Sequence, residues 1–284
     1  MTFLTLTTDY GTKDPYRAMV RGWLRSRFPQ SPVEDISHRI DKYDSSEAVF
    51  VLKTAFPFYP EGSIHLLDVS RVSTAARLAE EDSLTRKGLT YCITYFQNHW
   101  FVLPDQGLAG MLTDNPHHPV QRYPHPVTPL YPGFSLLNWL EGPLHHLLAG
   151  AVHADQAGIL PEPWLAPETD PRSLWVEPAA LHEGVLEGVV VYCDSYGNLH
   201  TNLSRATVEA FVGDREFTVY LRSQRSHENR SRRIHAHYHE VDQENLILLY
   251  NSAGCLEIAL VQEPARALLG MRVYDKVLIE PIRR

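Results

Sequence analysis

Hydrophobic and polar positions in the first part of the chain alternate between strand-like runs and helix-like stretches. Short apolar runs rich in β-branched residues predict strands, and apolar residues at intervals of three or four predict amphipathic helices. The predicted elements are, in chain order, a strand at 2–8, a helix at 15–28, a strand at 33–36, a helix at 45–56 and a strand at 63–68. This alternation predicts an α/β domain with a Rossmann-like layered sheet.

The remainder of this domain has a less regular pattern. A pair of strands is expected at 89–95 and 100–103 around a polar turn, with a short helix after 104–107. The proline-rich stretch 114–133 predicts an excursion over the surface. A last helix, at about 139–153, is expected to close the domain.

A second proline-rich stretch separates this pattern from one of short strands. We therefore divide the chain into an α/β catalytic domain at 1–157, a linker at 158–183 and a second domain at 184–284. The second domain has predicted strands at 185–193, 216–222, 232–239, 246–250, 255–261 and 274–280, and a helix at 264–269. Short strands separated by turns predict a small antiparallel β-barrel.

Composition and charge narrow the classes of function. The 284 residues are 44% hydrophobic and 21% charged, which excludes a disordered or coiled-coil chain. A formal charge of −8 argues against nucleic acid as a partner, because phosphate binding needs a basic surface. No signal-peptide pattern and no membrane-length apolar run is found, so we expect no membrane partner. The three widely separated cysteines favour a reducing, cytoplasmic location.

Common enzyme motifs are missing, but two aspartates follow predicted strands. The sequence has no P-loop, G-x-G-x-x-G turn, G-x-S-x-G elbow or H-E-x-x-H zinc pattern. Asp9 and Asp68 stand where ligands gather in α/β sheets, although each could equally cap a loop. His235, His237 and His239 would share one face of a strand, but neighbouring arginines disfavour a cation there. We therefore expect no metal site.

Five separated segments carry a family resemblance. They are TTDYG (7–11), DISH (35–38), PDQGL (104–108), DSYGNL (194–199) and NSAGCLEIA (251–259). In this order they resemble the S-adenosylmethionine hydroxide adenosyltransferase family, whose relatives include fluorinating and chlorinating enzymes. The resemblance implies an N-terminal α/β domain, a C-terminal β-barrel and a homotrimer with active sites between subunits. It also implies S-adenosylmethionine as the substrate, with water displacing methionine at the ribose 5′ carbon.

The resemblance also assigns substrate-binding positions. They are Asp9, Tyr10, Asp14, Tyr43, Asp194, Asn198, Tyr238 and Ser252. Asp9 is expected to accept hydrogen bonds from the ribose hydroxyls, a role that suits an acceptor-only carboxylate, and Tyr43 to lie against the sugar. Asp194 is expected to hold the methionine ammonium, and Asn198 the adenosine portion.

The resemblance implies two further substrate contacts, and several of the assigned residues also have an ordinary structural interpretation. Ser252 is expected to meet the methionine carboxylate, and Tyr238 to stack on adenine. Asp9 could instead cap a turn, and D-x-x-G-N at 194–198 also predicts a tight hairpin turn. For Tyr43 and Tyr238, ordinary packing is the alternative.

The chain departs from the family at the residues that hold the attacking water. Members typically use an aspartate, an arginine and a histidine, and Asp68 stands at the aspartate position. Arg71 and Arg77 both lie near the arginine position, and Ser135 stands where the histidine is expected. A hydroxyl can orient water but cannot buffer its proton near neutral pH. Our catalytic candidates are Asp68, Ser135 and Arg71.

Three functions stay open on these residues. The expected one is hydrolysis of S-adenosylmethionine to adenosine and L-methionine, without a metal or redox cofactor. Alternatively, the protein binds the nucleoside and has lost the reaction. A halide-using transfer is the third, and Leu136 disfavours it because relatives keep that position small.

Overall fold

The computed structural model describes residues 2–69, 91–122, 131, 135–140, 142–148, 168–169, 179–221, 230–231, 233–241 and 246–282. They belong to two compact units, Met1–Val176 and Glu177–Arg284, each with its own apolar core. The division falls within the 158–183 stretch, of which only 168–169 and 179–183 are described.

A seven-stranded mixed sheet forms the centre of the N-terminal unit. Its strands are β1 (Leu4–Thr8), β2 (Val33–Ser37), β3 (Ile64–Asp68), β4 (Tyr91–Phe96), β5 (His99–Pro104), β6 (Pro119–Arg122) and β7 (Glu168–Thr169). The spatial order is β2-β1-β3-β5-β4-β6-β7. Strands β2, β1, β3 and β5 run parallel, whereas β4 is antiparallel to β5. The predicted α/β class is confirmed for this unit.

Helices pack on both faces of this sheet. They are α1 (Tyr16–Arg27), α2 (Ser45–Ala55), α3 (Leu108–Thr113), α4 (Ser135–Leu140) and α5 (Pro143–Leu148). Side chains alternate across a strand, so Leu66 of β3 packs in one core with Leu24 of α1, and Leu67 packs in another with Leu52 of α2. By the same alternation, Asp68 at the end of β3 lies on the α1 face.

Two segments of the N-terminal unit differ from the predicted elements. In place of one helix at 139–153 there are the shorter helices α4 and α5, because Pro143 has no N–H with which to continue α4. Positions 149–153 lie outside the described residues. The predicted excursion 114–133 contains β6, which pairs with β4 and buries Val120. Pro119 is tolerated there as the first residue of the strand.

The C-terminal unit is built on a curled antiparallel sheet. Its strands are β8 (Ala180–His182), β9 (Val185–Cys193), β10 (Leu199–Ser204), β11 (Phe217–Leu221), β12 (Arg230–Ser231), β13 (Leu246–Tyr250), β14 (Cys255–Leu260) and β15 (Lys276–Pro281). The order is β12-β11-β15-β9-β10-β14-β13, with β8 beside β9. A single bridge from His235 to Leu249 joins the stretch after β12 to β13. The described pairings form a half-barrel and do not complete the predicted barrel.

One predicted C-terminal strand, at 232–239, is corrected. The described residues 233–239 do not form a strand: His235 makes one bridge, and Tyr238–Glu240 forms a 3-10 turn. The Glu240 carboxylate accepts hydrogen bonds from two backbone N–H groups, 2.8 Å from Ala236 and 2.9 Å from His237, which favours the turn over a strand.

Sequence reasoning also missed a helix. Helix α6 (Arg205–Val212) follows β10 directly, and α7 (Ala265–Leu268) is the one that was predicted. Ser204 caps α6 by accepting a hydrogen bond from the Thr207 backbone N–H at 3.1 Å. None of the helices in the described part of the chain is long and apolar enough to cross a bilayer.

Candidate functional site

The carboxyl ends of β1 and β3 bring polar residues to one edge of the N-terminal sheet. Thr8 of β1 pairs in register with Asp68 of β3, and Asp9 and Tyr10 follow directly on β1. This is the edge of a parallel sheet where ligands bind. The structure therefore brings together Asp9, Tyr10 and Asp68, three of the residues predicted from sequence.

Two phenols hold the Asp68 carboxylate. The Tyr91 hydroxyl donates to Asp68 Oδ1 at 2.6 Å, and the Tyr10 hydroxyl donates to Asp68 Oδ2. Tyr91 is fully buried at the start of β4 and packs against Trp139 of α4. Since each carboxylate oxygen has two lone pairs, each oxygen can still accept a hydrogen bond from a bound water.

The surroundings of Asp68 favour its protonated form. Burial raises the pKa of the Asp68 carboxyl, and the nearby charge of Asp9 raises it further, against the lowering effect of the two tyrosine hydrogen bonds. Burial and the charge of Asp68 also raise the pKa of Tyr10 and of Tyr91, so both phenols remain hydrogen-bond donors at neutral pH. Asp68 is thus a carboxylate with increased proton affinity, held in a fixed orientation.

Asp9 fastens a second loop to the same edge. Its Oδ2 accepts a hydrogen bond from the Tyr43 backbone N–H at 3.0 Å, and its carbonyl accepts one from the Lys42 ammonium. Tyr43 adopts a left-handed backbone with φ of 65° and leaves its ring 56% exposed. The loop-capping alternative for Asp9 is therefore observed, and its predicted contact with ribose stays a prediction. Asp14 lies exposed just before α1.

A carboxylate that contrasts with Asp68 lies on β2, on the other side of β1 from β3. Asp35 of β2 is paired with Arg21, with Arg17 at 3.4 Å, and with His38 at 3.1 Å. Burial acts to raise the pKa of Asp35, but the hydrogen bonds and charges of His38 and Arg21 outweigh it and hold that pKa below its usual value. The pKa of Asp35 is therefore held low, whereas the pKa of Asp68 is raised.

In the C-terminal unit, Asp194 organises a tight turn between β9 and β10. Its Oδ1 accepts hydrogen bonds from the backbone N–H groups of Tyr196 at 3.0 Å and Asn198 at 2.8 Å. Gly197 has φ of 85°, and a Cβ there would lie 2.8 Å from Cβ of Pro264. The predicted hairpin turn is thus observed, and it leaves Oδ2 facing Asn198 Nδ2 at 3.2 Å and His200 Nε2 at 3.4 Å.

His200 and Glu257 connect the predicted C-terminal residues. His200 Nδ1 lies 2.9 Å from Asn251 Nδ2 and 3.6 Å from the buried carboxylate of Glu257. The Tyr238 hydroxyl donates to Glu257, and the Tyr238 ring is 45% exposed. Ser252 is exposed on the turn after Asn251.

Sequence reasoning gave no role to several of these polar residues. Tyr91, His200 and Glu257 are the ones that touch predicted site residues. A lone carboxylate within the apolar run of β14 was the available signal for Glu257. No comparable signal marked Tyr91, because only the order of strands in the sheet brings it close to its partner, Asp68.

Two catalytic candidates are not placed by the structure. Arg71 and the alternative Arg77 lie outside the described residues. Ser135 begins helix α4, but its side chain lies outside the described part of the chain. Of the predicted water-binding trio, the structure therefore describes the side chain of Asp68 alone.

The two units match two successive models of a single family. The SAM hydroxide adenosyltransferase N-terminal domain matches residues 4–126, and the SAM hydroxide adenosyltransferase C-terminal domain matches residues 188–278. The chain belongs to the SAM hydroxide adenosyltransferase family.

Named relatives of the chain agree with the family assignment. The (R)-S-adenosyl-L-methionine hydrolase of Thermus thermophilus is 31% identical over 274 residues, which cover 93% of this chain and 94% of the relative. The fluorinase of an Actinoplanes species is 22% identical and covers 72% of this chain and 73% of its own length. A crystal structure of an uncharacterized conserved protein from Thermotoga maritima covers 98% of this chain and 100% of its own, with a TM-score of 0.74 and 19% identity. That likeness supports the fold.

Proposed function

We propose that this hydroxide adenosyltransferase hydrolyses S-adenosylmethionine to adenosine and L-methionine. A water oxygen attacks the ribose 5′ carbon from the side opposite the sulfonium, the carbon–sulfur bond breaks, and its electron pair returns to sulfur. The sulfonium becomes the neutral thioether of methionine, and the water proton passes to a base. Because the leaving group is already activated, orienting the water and excluding bulk solvent supply most of the catalysis.

Asp68 is the observation that carries this proposal. Its carboxylate is fixed by Tyr10 and Tyr91, and burial gives it an increased proton affinity at the ligand-binding edge of the sheet. A carboxylate of this kind can orient a water and accept its proton as the carbon–oxygen bond forms. The hydrolase from Thermus thermophilus, similar over almost the whole chain, supports water as the nucleophile.

The substrate contacts belong to the same proposal. Asp9 would hold the ribose hydroxyls beside Asp68, and Asp194 the methionine ammonium through Oδ2, the oxygen that its backbone turn leaves facing side chains. The other proposed substrate contacts in the C-terminal unit are Asn198, Ser252 and Tyr238. Those in the N-terminal unit are Tyr10, Asp14 and Tyr43.

The test is adenosine formation in isotopically labelled water. Purified protein is incubated with S-adenosylmethionine in ¹⁸O water, and products are separated by chromatography and weighed by mass spectrometry. We expect adenosine with the label on the 5′ oxygen. Asp68→Asn should lose this activity, whereas Asp114→Asn, an exposed carboxylate paired with Lys53, is the matched control that should retain it.

Other products would replace the proposal by a specific alternative. Ligand binding measured by calorimetry without any adenosine would identify a binding protein. The fluorinase relative motivates a parallel incubation with fluoride or chloride, in which a 5′-halogenated nucleoside would identify halide transfer.

Two further properties complete the proposal. No metal or redox cofactor takes part, so dialysis against EDTA should leave adenosine formation unchanged, and a loss restored by a divalent ion would contradict this. The protein is proposed to be a homotrimer, which sedimentation equilibrium tests; a stable monomer would contradict it.

A further inference from the structure

The DISH segment at 35–38 is a motif to which the proposed reaction gives no role. In the structure its histidine, His38, is 5% exposed and lies beside the loop that carries Asp9 and Tyr10. A buried polar residue must satisfy its hydrogen bonds locally, and those of His38 run toward that loop.

Three contacts fasten the loop to His38. The Thr8 hydroxyl lies 2.7 Å from His38 Nδ1. The His38 carbonyl accepts a hydrogen bond from the Gly11 N–H at 2.7 Å, and the rings of Tyr10 and His38 stack with centroids 6.4 Å apart. The Thr8 hydroxyl oxygen in turn accepts the Tyr10 N–H at 3.3 Å. His38 therefore holds the loop on both sides of Tyr10.

Asp35 determines how His38 makes these contacts. His38 Nε2 lies 3.1 Å from Asp35 Oδ1, not aligned as a hydrogen bond but close to the carboxylate charge, and Arg21 helps to hold the pKa of Asp35 low. A carboxylate facing Nε2 favours the proton on that nitrogen and leaves Nδ1 as an acceptor for the Thr8 hydroxyl. The chain of contacts then runs from Asp35 through His38 and Thr8 to the Tyr10 backbone.

We propose that His38, oriented by Asp35, is a positioning residue that keeps the Tyr10 hydroxyl on Asp68. His38 does not touch Asp68, so its effect passes through Tyr10. The inference rests on the proposed function for its catalytic consequence, while its structural consequence can be measured without substrate.

The structural test is hydrogen exchange of the loop. His38→Leu removes the acceptor that faces Thr8, whereas His38→Asn retains one near the Nδ1 position. We expect the amides of Tyr10 and Gly11 to exchange on the order of 10-fold faster in the leucine variant and less so in the asparagine variant. His118→Gln, a half-buried histidine on the Tyr95 carbonyl, is the matched control and should leave the loop unchanged.

The functional test is the pH profile of adenosine release. Within the described residues, the titratable groups facing Asp68 are Tyr10, Tyr91 and Asp9, and those facing His38 are Asp35, Arg17 and Arg21. The Tyr10 hydrogen bond lowers the Asp68 pKa, so its loss should raise that pKa. His38→Leu should therefore shift the acid limb of kcat to higher pH, as we also expect for Tyr10→Phe, and lower kcat by about 10- to 100-fold, with partial rescue by asparagine.

The outcomes separate this inference from the proposed function. Unchanged loop exchange in His38→Leu overturns the inference, whether or not the wild type forms adenosine. Faster exchange with an unshifted acid limb also overturns it, because the loop would then move without affecting Asp68. A wild type that forms no adenosine contradicts the proposed function, and loop exchange then decides the positioning role alone.

Discussion

Asp35 and Asp68 lie on parallel strands of the same mixed sheet, yet their surroundings shift the two pKa values in opposite directions. Asp35 has Arg21, Arg17 and His38 as partners, and His38 and Arg21 hold its pKa below the usual value. Asp68 has two neutral phenols and lies near Asp9, and burial raises its pKa. The pKa of the first carboxyl is held low beside a histidine, whereas that of the second is raised, which suits the second to accept a proton.

The difference shows why hydrogen-bond count alone does not identify a reactive carboxylate. Both groups have side-chain donors that lower the pKa, but at Asp35 the charge of Arg21 adds to this effect and the cost of burial is outweighed. At Asp68 the donors are neutral, so the proton affinity created by burial persists. That property, together with the position at a strand end, distinguishes a candidate base from a structural anion.

The largest expected effect comes from neutralising each carboxylate in turn. Asp68→Asn should lower the rate of adenosine formation on the order of 10²- to 10⁴-fold with little loss of folding stability. Asp35→Asn should lower stability by about 1–3 kcal/mol, because it removes the partner of Arg21 and His38, and should lower the rate much less than Asp68→Asn does. Chromatography measures the rates, and urea denaturation measures the stabilities. Equal losses of rate and of stability in the two variants would contradict the contrast between Asp68 and Asp35.

A third carboxylate, Asp194, is held by backbone N–H groups, and Gly197 tests that arrangement. Gly197→Ala places a Cβ 2.8 Å from Pro264 in a backbone with φ of 85°. We expect a loss of about 2–4 kcal/mol in the free energy of unfolding, measured by urea denaturation. Gly213→Ala, also at positive φ but with open space around it, is the matched control and should lose less.

His65 is a base that is buried without a compensating charge, and burial shifts its pKa as well. It lies between Thr5 and His99, and burial lowers its pKa from 6.5 to about 3. Below pH 6.5 the unfolded chain therefore binds a proton at His65 that the folded chain does not bind. The free energy of unfolding falls as the pH falls from 6.5 toward 3.

The slope of that loss is the measurable quantity. It should reach about 1.4 kcal/mol per pH unit for this one group. His65→Asn should flatten the slope in urea denaturation at several pH values, whereas His117→Asn, an exposed histidine, should not. A wild type equally stable at pH 5 and 7 would contradict the assignment.

The smallest effect is expected from removing one phenol. Tyr91→Phe deletes a hydrogen bond that lowers the Asp68 pKa, so the acid limb of adenosine formation should move to higher pH. The cost in stability should be about 0.5–1.5 kcal/mol. Tyr95→Phe, on the same strand but bonded to Asn98, is the control, and an acid limb that moves to lower pH would contradict the role of Tyr91.

Local patterns were sufficient to predict the elements that surround the N-terminal site. Strands β1 and β3 and helices α1 and α2 follow from hydrophobic periodicity, and a strand end identified both Asp9 and Asp68. The strand pair β4–β5 was predicted, but the Tyr91 contact was not, since it also depends on β5 rather than β4 pairing with β3.

The C-terminal unit shows where periodicity misleads. Alternating polar residues at 232–239 imitate a strand, but Glu240 caps a turn there. Helix α6 was missed because it follows β10 without a connecting loop, although Ser204 provides an N-cap signal. The His200 and Glu257 contacts arise from pairing between β10 and β14, which no single segment encodes.

The contrast between Asp68 and Asp35 can be measured directly by ¹³C NMR titration of the aspartate carboxyl carbons, with Asp68→Asn and Asp35→Asn used to assign the two signals. We predict that Asp68 titrates above the ordinary value of 3.8 and that Asp35 titrates below it. Equal midpoints, or the reverse order, would contradict the assignment of Asp68 as the proton acceptor of this site.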